Sequence, residues 1–266
     1  MSYLKEELKS LLKNQGILPS KGLGQNFLVD QAAVRSMVSA VGARKTDTVV
    51  EVGPGPGVLT GELLKSAKKV IAVEKDPKMA RILEQKHGNS ENLEIVNADI
   101  LKWIFKDKDY ILAGNIPFYL TAPVIRKFLE AENQPKEIIF IIQKEVAQRI
   151  CARPPRMSLL AVSVQAYAQA KIISYIKKDS FWPRPKIDSA IIRITPKATV
   201  IPDDFFSIVK AGFSQPRKQL ANNLSKKLKI EKKEAAEWLL ENNIQPNQRA
   251  ETLAVEDWLK LSRHTH

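Results

Sequence analysis

The chain has 266 residues, room for one large domain or for one domain with a small appendage. Hydrophobic residues make up 44%, enough for a substantial core, which excludes global disorder. The formal net charge of +13 points to a polyanionic partner, nucleic acid before membrane, and no apolar run approaches the roughly 18 residues a membrane span needs.

The first segment, MSYLKEELKSLLKNQG, reads as an amphipathic helix with both signs of charge. It lacks the apolar centre and small-residue cleavage site of a secretory signal, so residence in the cytoplasm is the expectation. The single cysteine, Cys151, permits no disulfide within the chain and no cysteine-based zinc site. The three histidines, His87, His264 and His266, make no recognisable metal or catalytic set. The expected chemistry is one that needs neither a metal nor a histidine base.

From about residue 46, short Val- and Ile-rich runs alternate with amphipathic stretches. The runs are Thr48–Val52, Val70–Val73, Leu93–Val96, Tyr110–Ala113 and Ile138–Ile142, short enough to be buried parallel strands. Helices are predicted at 58–66, 77–87, 121–131 and 144–151. This alternation predicts an open α/β sheet. A longer helix is predicted over Met157–Ala170, then strands at Ile172–Ile176 and Ala190–Ile194. Between those strands lies SFWPRPKIDS, whose two prolines argue against regular structure. Thr195–Pro202 reads as a linker. Only helical segments follow, at 203–212, 215–228, 231–241 and 255–263. The predicted organisation is a domain over residues 1–198 and a small all-helical domain over 199–266.

The segment VVEVGPGPGVLTGELL places Gly53, Gly55 and Gly57 between a strand and a helix. Glycines there let the backbone turn sharply and approach a ligand closely. The spacing is neither the dinucleotide fingerprint nor a P-loop. Glu74 ends the next strand, where a carboxylate can accept from both ribose hydroxyls of an adenosine. Asp99, in VNADIL, follows the third strand and can accept from an adenine amino group. All three features fall at strand C-termini, the ligand-binding edge of an open α/β sheet. Together they describe an adenosine site without phosphate machinery, and S-adenosylmethionine is the candidate cofactor. Taken singly, the glycines can be a structural turn, and a lone Glu74 or Asp99 is more often a solvated loop carboxylate; the three in this order and spacing carry the reading.

After the fourth strand comes GNIPFYLTAPVI, residues 114–125. Asn115-Ile116-Pro117-Phe118 is similar to the (N/D)PPY loop of amino-group methyltransferases. The adenine exocyclic amine is a poor nucleophile because its lone pair is delocalised into the ring. Acceptors at the Asn115 side chain and the Ile116 carbonyl can hold both amine hydrogens and favour a pyramidal nitrogen. Pro117 fixes the backbone so that the acceptors converge. Phe118 offers a face on which an extruded base can stack. Such catalysis rests on positioning, not on a strong base. Read alone, the segment can also be an ordinary proline turn before a helix capped near Thr121.

Charge is unevenly spread. Residues 151–199 carry nine Lys/Arg against Asp179 and Asp188, and Arg217–Lys229 carries five basic residues and no acid. These stretches, Arg217 and Lys218 included, are candidate phosphate contacts.

With these motifs in hand, the chain resembles the ribosomal RNA adenine N6-dimethyltransferases, in particular their small-subunit branch. The markers are GLGQNFL at 22–28, EVGPGPGVLT at 51–60, NADIL at 97–101 and GNIPFYLTAPVI at 114–125. Further markers are QKEVAQRI at 143–150, FWPRPKIDSAIIRI at 181–194 and GFSQPRKQLANNL at 212–224. The resemblance implies a Rossmann-like class I methyltransferase fold with a mostly parallel seven-stranded sheet. It implies dimethylation of two adjacent adenines in the 3′-terminal hairpin loop of 16S ribosomal RNA, with a role in small-subunit biogenesis.

Carried over from the family, the cofactor contacts are Asn26, Leu28, Gly53, Glu74, Asp99 and Asn115. Gln25 and Asn26 would close over the methionine end of the cofactor; the same QNFL segment reads equally as packing by Phe27 and Leu28. Phe181 would stack on the far side of the target base, or is a core aromatic. Two departures from the family pattern stand out: Phe118 replaces the usual tyrosine, and ICARPPRMSLLAV replaces a glycine-containing loop, around Arg153 and Arg156. A 23S-specific methyltransferase of the macrolide-resistance type and a non-catalytic assembly factor are the alternatives. No interface motif is evident, so the expected state is a monomer.

Overall fold

The computed structural model describes residues 3–20, 22 and 24–263. Leu23 of the GLGQNFL marker, His264 and His266 lie outside the described residues. In chain order, the helix α1 spans Tyr3–Asn14, β1 Phe27–Leu28, α2 Gln31–Val41, β2 Thr48–Val52, α3 Val58–Ser66, β3 Lys69–Glu74, α4 Pro77–His87 and β4 Leu93–Asn97. Then come β5 Tyr110–Asn115, α5 Thr121–Leu129, β6 Glu137–Gln143, α6 Lys144–Ile150, α7 Leu159–Gln165, β7 Ala168–Ile176, β8 Phe181–Trp182 and β9 Ser189–Pro196. The helices α8 Phe205–Gly212, α9 Leu220–Leu228, α10 Lys232–Glu241 and α11 Val255–Arg263 complete the chain. No helix among the described residues is long and apolar enough to cross a membrane.

Seven strands form one sheet in the order β4-β3-β2-β5-β6-β9-β7. Strands β4, β3, β2, β5 and β6 run parallel, and β9 joins β6 antiparallel. Strands β2, β3, β5 and β6 are mostly apolar and almost fully buried, as parallel strands between helices are, with the carboxyl of Glu51 the exception within β2. From β2 the chain moves outward through β3 and β4, then returns to β5 on the other side of β2. The strand order therefore reverses between β2 and β5, and ligands bind at the carboxyl ends beside such a switch point.

Local signals set the helix ends. Asp30 caps α2 by accepting from the Ala32 amide at 2.9 Å, and Gly42 ends it in the left-handed conformation. Asp76 caps α4 through the Lys78 amide at 3.0 Å, with Pro77 in the first turn. Gly114 lets β5 approach β2 closely, since a Cβ there would stand 2.5 Å from the Val52 carbonyl oxygen.

Contacts divide the chain into two compact units, residues 1–147 with 171–196, and residues 148–170 with 197–266. This differs from the predicted division at 198/199, because Met157, Ala161, Val162 and Ala166 pack in one apolar cluster with Phe205, Leu239 and Trp258. Helix α7 is also shorter than predicted. Ser158 caps it through the Ala161 amide at 3.1 Å, it stops at Gln165, and the chain is already strand at Ala168. The run predicted helical from 215 starts only at Leu220, with Gln219 ahead of it in extended backbone at φ −62° and ψ 148°. The proline-rich segment holds the two-residue β8, just ahead of Pro183, paired antiparallel with β1 in the register Phe27↔Trp182 and Leu28↔Phe181.

Candidate active site

The carboxyl ends of β2, β3, β4 and β5 open into one cleft of about 1020 Å³, including the part open to solvent. Its walls carry Asn26, Gly53, Gly55, Glu74, Asp99, Asn115, Ile116, Pro117, Phe118 and Phe181. The sheet thus brings together residues that lie up to 155 positions apart, from Asn26 to Phe181.

The glycine turn is held from the side by Glu74. Its Oε2 accepts from the Gly55 amide at 3.0 Å and its Oε1 from the Asp76 amide at 2.8 Å. Gly53 and Gly55 both have positive φ, at 64° and 56°. No atom stands within 4 Å of where a Gly53 Cβ would be, so the turn presents bare backbone to open space. Burial raises the Glu74 pKa above the usual carboxylate value, and the amides of Asp76 and Gly55 hold it down. Each carboxylate oxygen keeps a further acceptor site for a ligand.

Asp99 stands two residues past β4. Its Oδ2 meets the Lys75 ammonium at 2.9 Å and its Oδ1 accepts from the Leu101 amide at 3.0 Å. The Lys75 bond, with the Leu101 amide behind it, lowers the Asp99 pKa, so this group is anionic at neutral pH. Ile100 and Leu101 add apolar wall beside it.

Asn115 is the last residue of β5. Its Nδ2 donates to the Asn26 carbonyl oxygen at 2.7 Å, which leaves Oδ1 as the accepting end of the amide. The next peptide is fixed as well, the Ile116 amide donating to the Ile141 carbonyl oxygen at 3.1 Å. Phe118 opens a short helical turn, half-buried on the cleft wall. Gln25 ties the N-terminal wall in place, accepting from the Ser20 amide at 2.7 Å and donating to Asp76 at 3.0 Å.

Three sequence-predicted residues fall elsewhere. Leu28 is buried in the core beneath the sheet rather than lining the cleft, because its place in the β1–β8 pair turns it inward. Arg217 and Lys218 are exposed in the turn before α9, in the second unit. Phe181 does two jobs at once: it is 3% exposed within the core cluster, and one edge still lines the cleft.

Sequence patterning does not mark the remaining contributors. Lys75 pairs with Asp99, and Tyr119 lies on the cleft wall with 56% of its surface exposed. Lys127 of α5 donates to the Ile100 carbonyl oxygen at 2.6 Å and to that of Trp103, pinning the loop that carries Asp99 and Leu101. Its position in the last turn of α5 gives no hint of this role. Glu51, in β2, is 1% exposed with Oε2 unpartnered, and sits between Ala72 on β3 and Ala113 on β5.

An open sheet that gathers a glycine turn, strand-end carboxylates and a proline-fixed asparagine loop at its switch point is the architecture of the class I methyltransferases, and this chain has it. A model of the family described as ribosomal RNA adenine dimethylase matches residues 19–265, and the chain belongs to that family. It is 40% identical to ribosomal RNA small subunit methyltransferase A of Dehalococcoides mccartyi, over 97% of this chain and 92% of the relative. The Bacillus licheniformis protein of the same name is 38% identical, over 96% and 94%. Among solved structures, a dimethyladenosine transferase from Plasmodium falciparum superposes with a TM-score of 0.77 at 26% identity, covering 88% of this chain and 95% of that one. The 23S rRNA methyltransferase ErmE gives 0.74 at 26% identity, covering 90% and 98%.

Proposed function

We propose that the protein uses S-adenosylmethionine to dimethylate the N6 amino groups of two adjacent adenines in the 3′-terminal hairpin loop of 16S ribosomal RNA. It does so as a cytoplasmic monomer acting on the small-subunit precursor. The observation that carries this reading is the bond from Asn115 Nδ2 to the Asn26 carbonyl oxygen inside the cleft that also holds Gly53 and Glu74. It orients an amide acceptor in the same cleft as the glycine turn and Glu74.

The residues present fit the cofactor. Bare backbone at Gly53 leaves room for close approach, and Glu74 and Asp99 keep acceptor sites for ribose hydroxyls and an adenine amine. When bound, the cofactor supplies an activated methyl group. Asn115 Oδ1 and the Ile116 carbonyl hold the hydrogens of the target amine, Pro117 fixes their spacing, and Phe118 stacks on the base. Phe181 buttresses the opposite wall. Arg217 and Lys218 grip RNA phosphates from the second unit, so binding weakens steeply with salt.

Two readings share this fold, since the likeness to ErmE is nearly as close as that to the dimethyladenosine transferase. The relatives at 38–40% identity over almost the whole chain carry the small-subunit name, and they favour that substrate. Labelled methyl transfer onto unmethylated 30S and 50S subunits separates the two. Dimethyladenosine from 30S subunits, identified by mass spectrometry of the nucleosides, is the expected product. Label on 50S subunits alone would sink the proposal.

Replacing Glu74 by alanine is expected to weaken S-adenosylmethionine binding roughly 10–100-fold. The change removes charge-assisted hydrogen bonds and leaves the Gly55 and Asp76 amides without their acceptor. Titration calorimetry measures it, and an unchanged Kd would remove Glu74 from the cofactor's contacts.

A further inference from the structure

The outermost strand of the sheet, β7, carries an alternation the cleft does not use. Lys171, Ile173 and Tyr175 are all exposed, at every second position and hence on one face. Lys177 is exposed just past the strand, in extended backbone at φ −67° and ψ 145°, and continues the row. The row spans about 20 Å of chain. Tyr175 is 55% exposed, and the Lys144 ammonium lies 5.3 Å from its ring centroid. One ring face therefore meets a cation, while more than half of the residue stays exposed.

The charge of this strip is uncompensated. Neither Lys171 nor Lys177 makes an ion pair among the described residues. The two acids nearest in sequence are engaged elsewhere, Asp179 with Arg184 and Asp188 with the Lys178 amide. The chain itself leads from the strip to the cleft. From Lys177 a short turn leads directly to Phe181 and Pro185, which form part of the cleft wall.

We infer that the exposed row Lys171–Ile173–Tyr175–Lys177, with Lys144, is a single-stranded RNA track that guides the strand flanking the target base into the cleft. This inference rests on the RNA-modifying reading of that cleft. A half-exposed aromatic ring offers a sequence-tolerant stacking surface, and flanking ammonium groups follow the phosphates. Lysines on an outer strand also discourage edge-to-edge pairing. Edge protection alone predicts no effect on RNA affinity.

The test uses the full chain and an RNA carrying the small-subunit 3′-terminal hairpin with its flanking strands, with affinity read by fluorescence anisotropy. Tyr175→Ala is expected to raise the RNA Kd roughly tenfold, and Tyr175→Trp to restore it. The double variant Lys171→Gln/Lys177→Gln is expected to reduce the slope of log K against log salt by about 1.4, or ~0.7 for each phosphate that is no longer neutralised. S-adenosylmethionine affinity stays unchanged in all of them, which reports an intact fold and cleft. Wild-type RNA affinity and salt slope in these variants overturn the track while leaving the cleft reading in place. Wild-type protein that binds no RNA overturns both. A concentration-dependent dimer that Tyr175→Ala abolishes would mark the strip as a contact between copies and overturn the track.

Discussion

Replacing Asn115 by alanine is expected to slow methyl transfer about 10²–10³-fold, while the Kd for S-adenosylmethionine changes by a few-fold at most. The rate effect follows from losing one of two acceptors that orient an amine whose lone pair is otherwise delocalised into the purine. The smaller effect on affinity follows from the other end of the amide. Asn115 Nδ2 bonds to the Asn26 carbonyl oxygen, so alanine also frees the N-terminal wall that closes over the cofactor. Aspartate is the informative companion. It keeps an acceptor but sets a second oxygen against the Asn26 carbonyl at a distance of 2.7 Å, where only a donor fits. Asn115→Asp is therefore expected to lose both rate and affinity. Single-turnover methyl transfer and calorimetry give the two quantities separately. Equal losses of rate and affinity in Asn115→Ala would show that the residue holds the wall and does not orient the amine.

Most strands of the cleft are legible in the sequence because they are buried on both faces. A strand packed by helices on either side has to be a short, almost continuous apolar run, and β2, β3, β5 and β6 have that pattern. Glu74, Asp99 and Asn115 can be placed because they end or follow such runs. Helix α2 is absent from the predicted elements although Asp30 and Gly42 mark its two ends. Pairing between distant segments is hidden for a different reason. β1 and β8 have two residues each, and nothing local in FL or FW says that they meet across more than 150 positions of chain. That pairing turns Leu28 inward and sets Phe181 at the cleft edge. The reach of Lys127 to two carbonyls of the Asp99 loop is likewise a tertiary fact. The split of the chain into units follows the packing of Met157 and Ala161, not the change of pattern near residue 198.

Glu51 leads to the second large effect, on stability rather than rate. Burial pushes its pKa from the ordinary 4.5 up to about 8, and the nearby Glu74 carboxylate pushes in the same direction. Thr60 is close enough to soften the shift, yet its hydroxyl and Glu51 Oε2 make no hydrogen bond. The folded chain therefore holds a proton on Glu51 that the unfolded chain releases near pH 4.5. A carboxyl with a raised pKa contributes most below the unfolded value, and that contribution is lost as pH climbs to the folded value. Between pH 4.5 and 8 the loss is roughly 5 kcal/mol at most. Glu51→Gln keeps a neutral group of the same shape and cannot ionise. Its stability relative to wild type is expected to rise steadily over that window and to level off above about pH 8. Urea unfolding of both proteins at about pH 5 and about pH 8.5 measures the difference between the two free-energy gaps, in which every other titrating group cancels. A gap that stays constant with pH would mean that Glu51 is ionised in the fold. A buried charge would then stand two residues from Gly53.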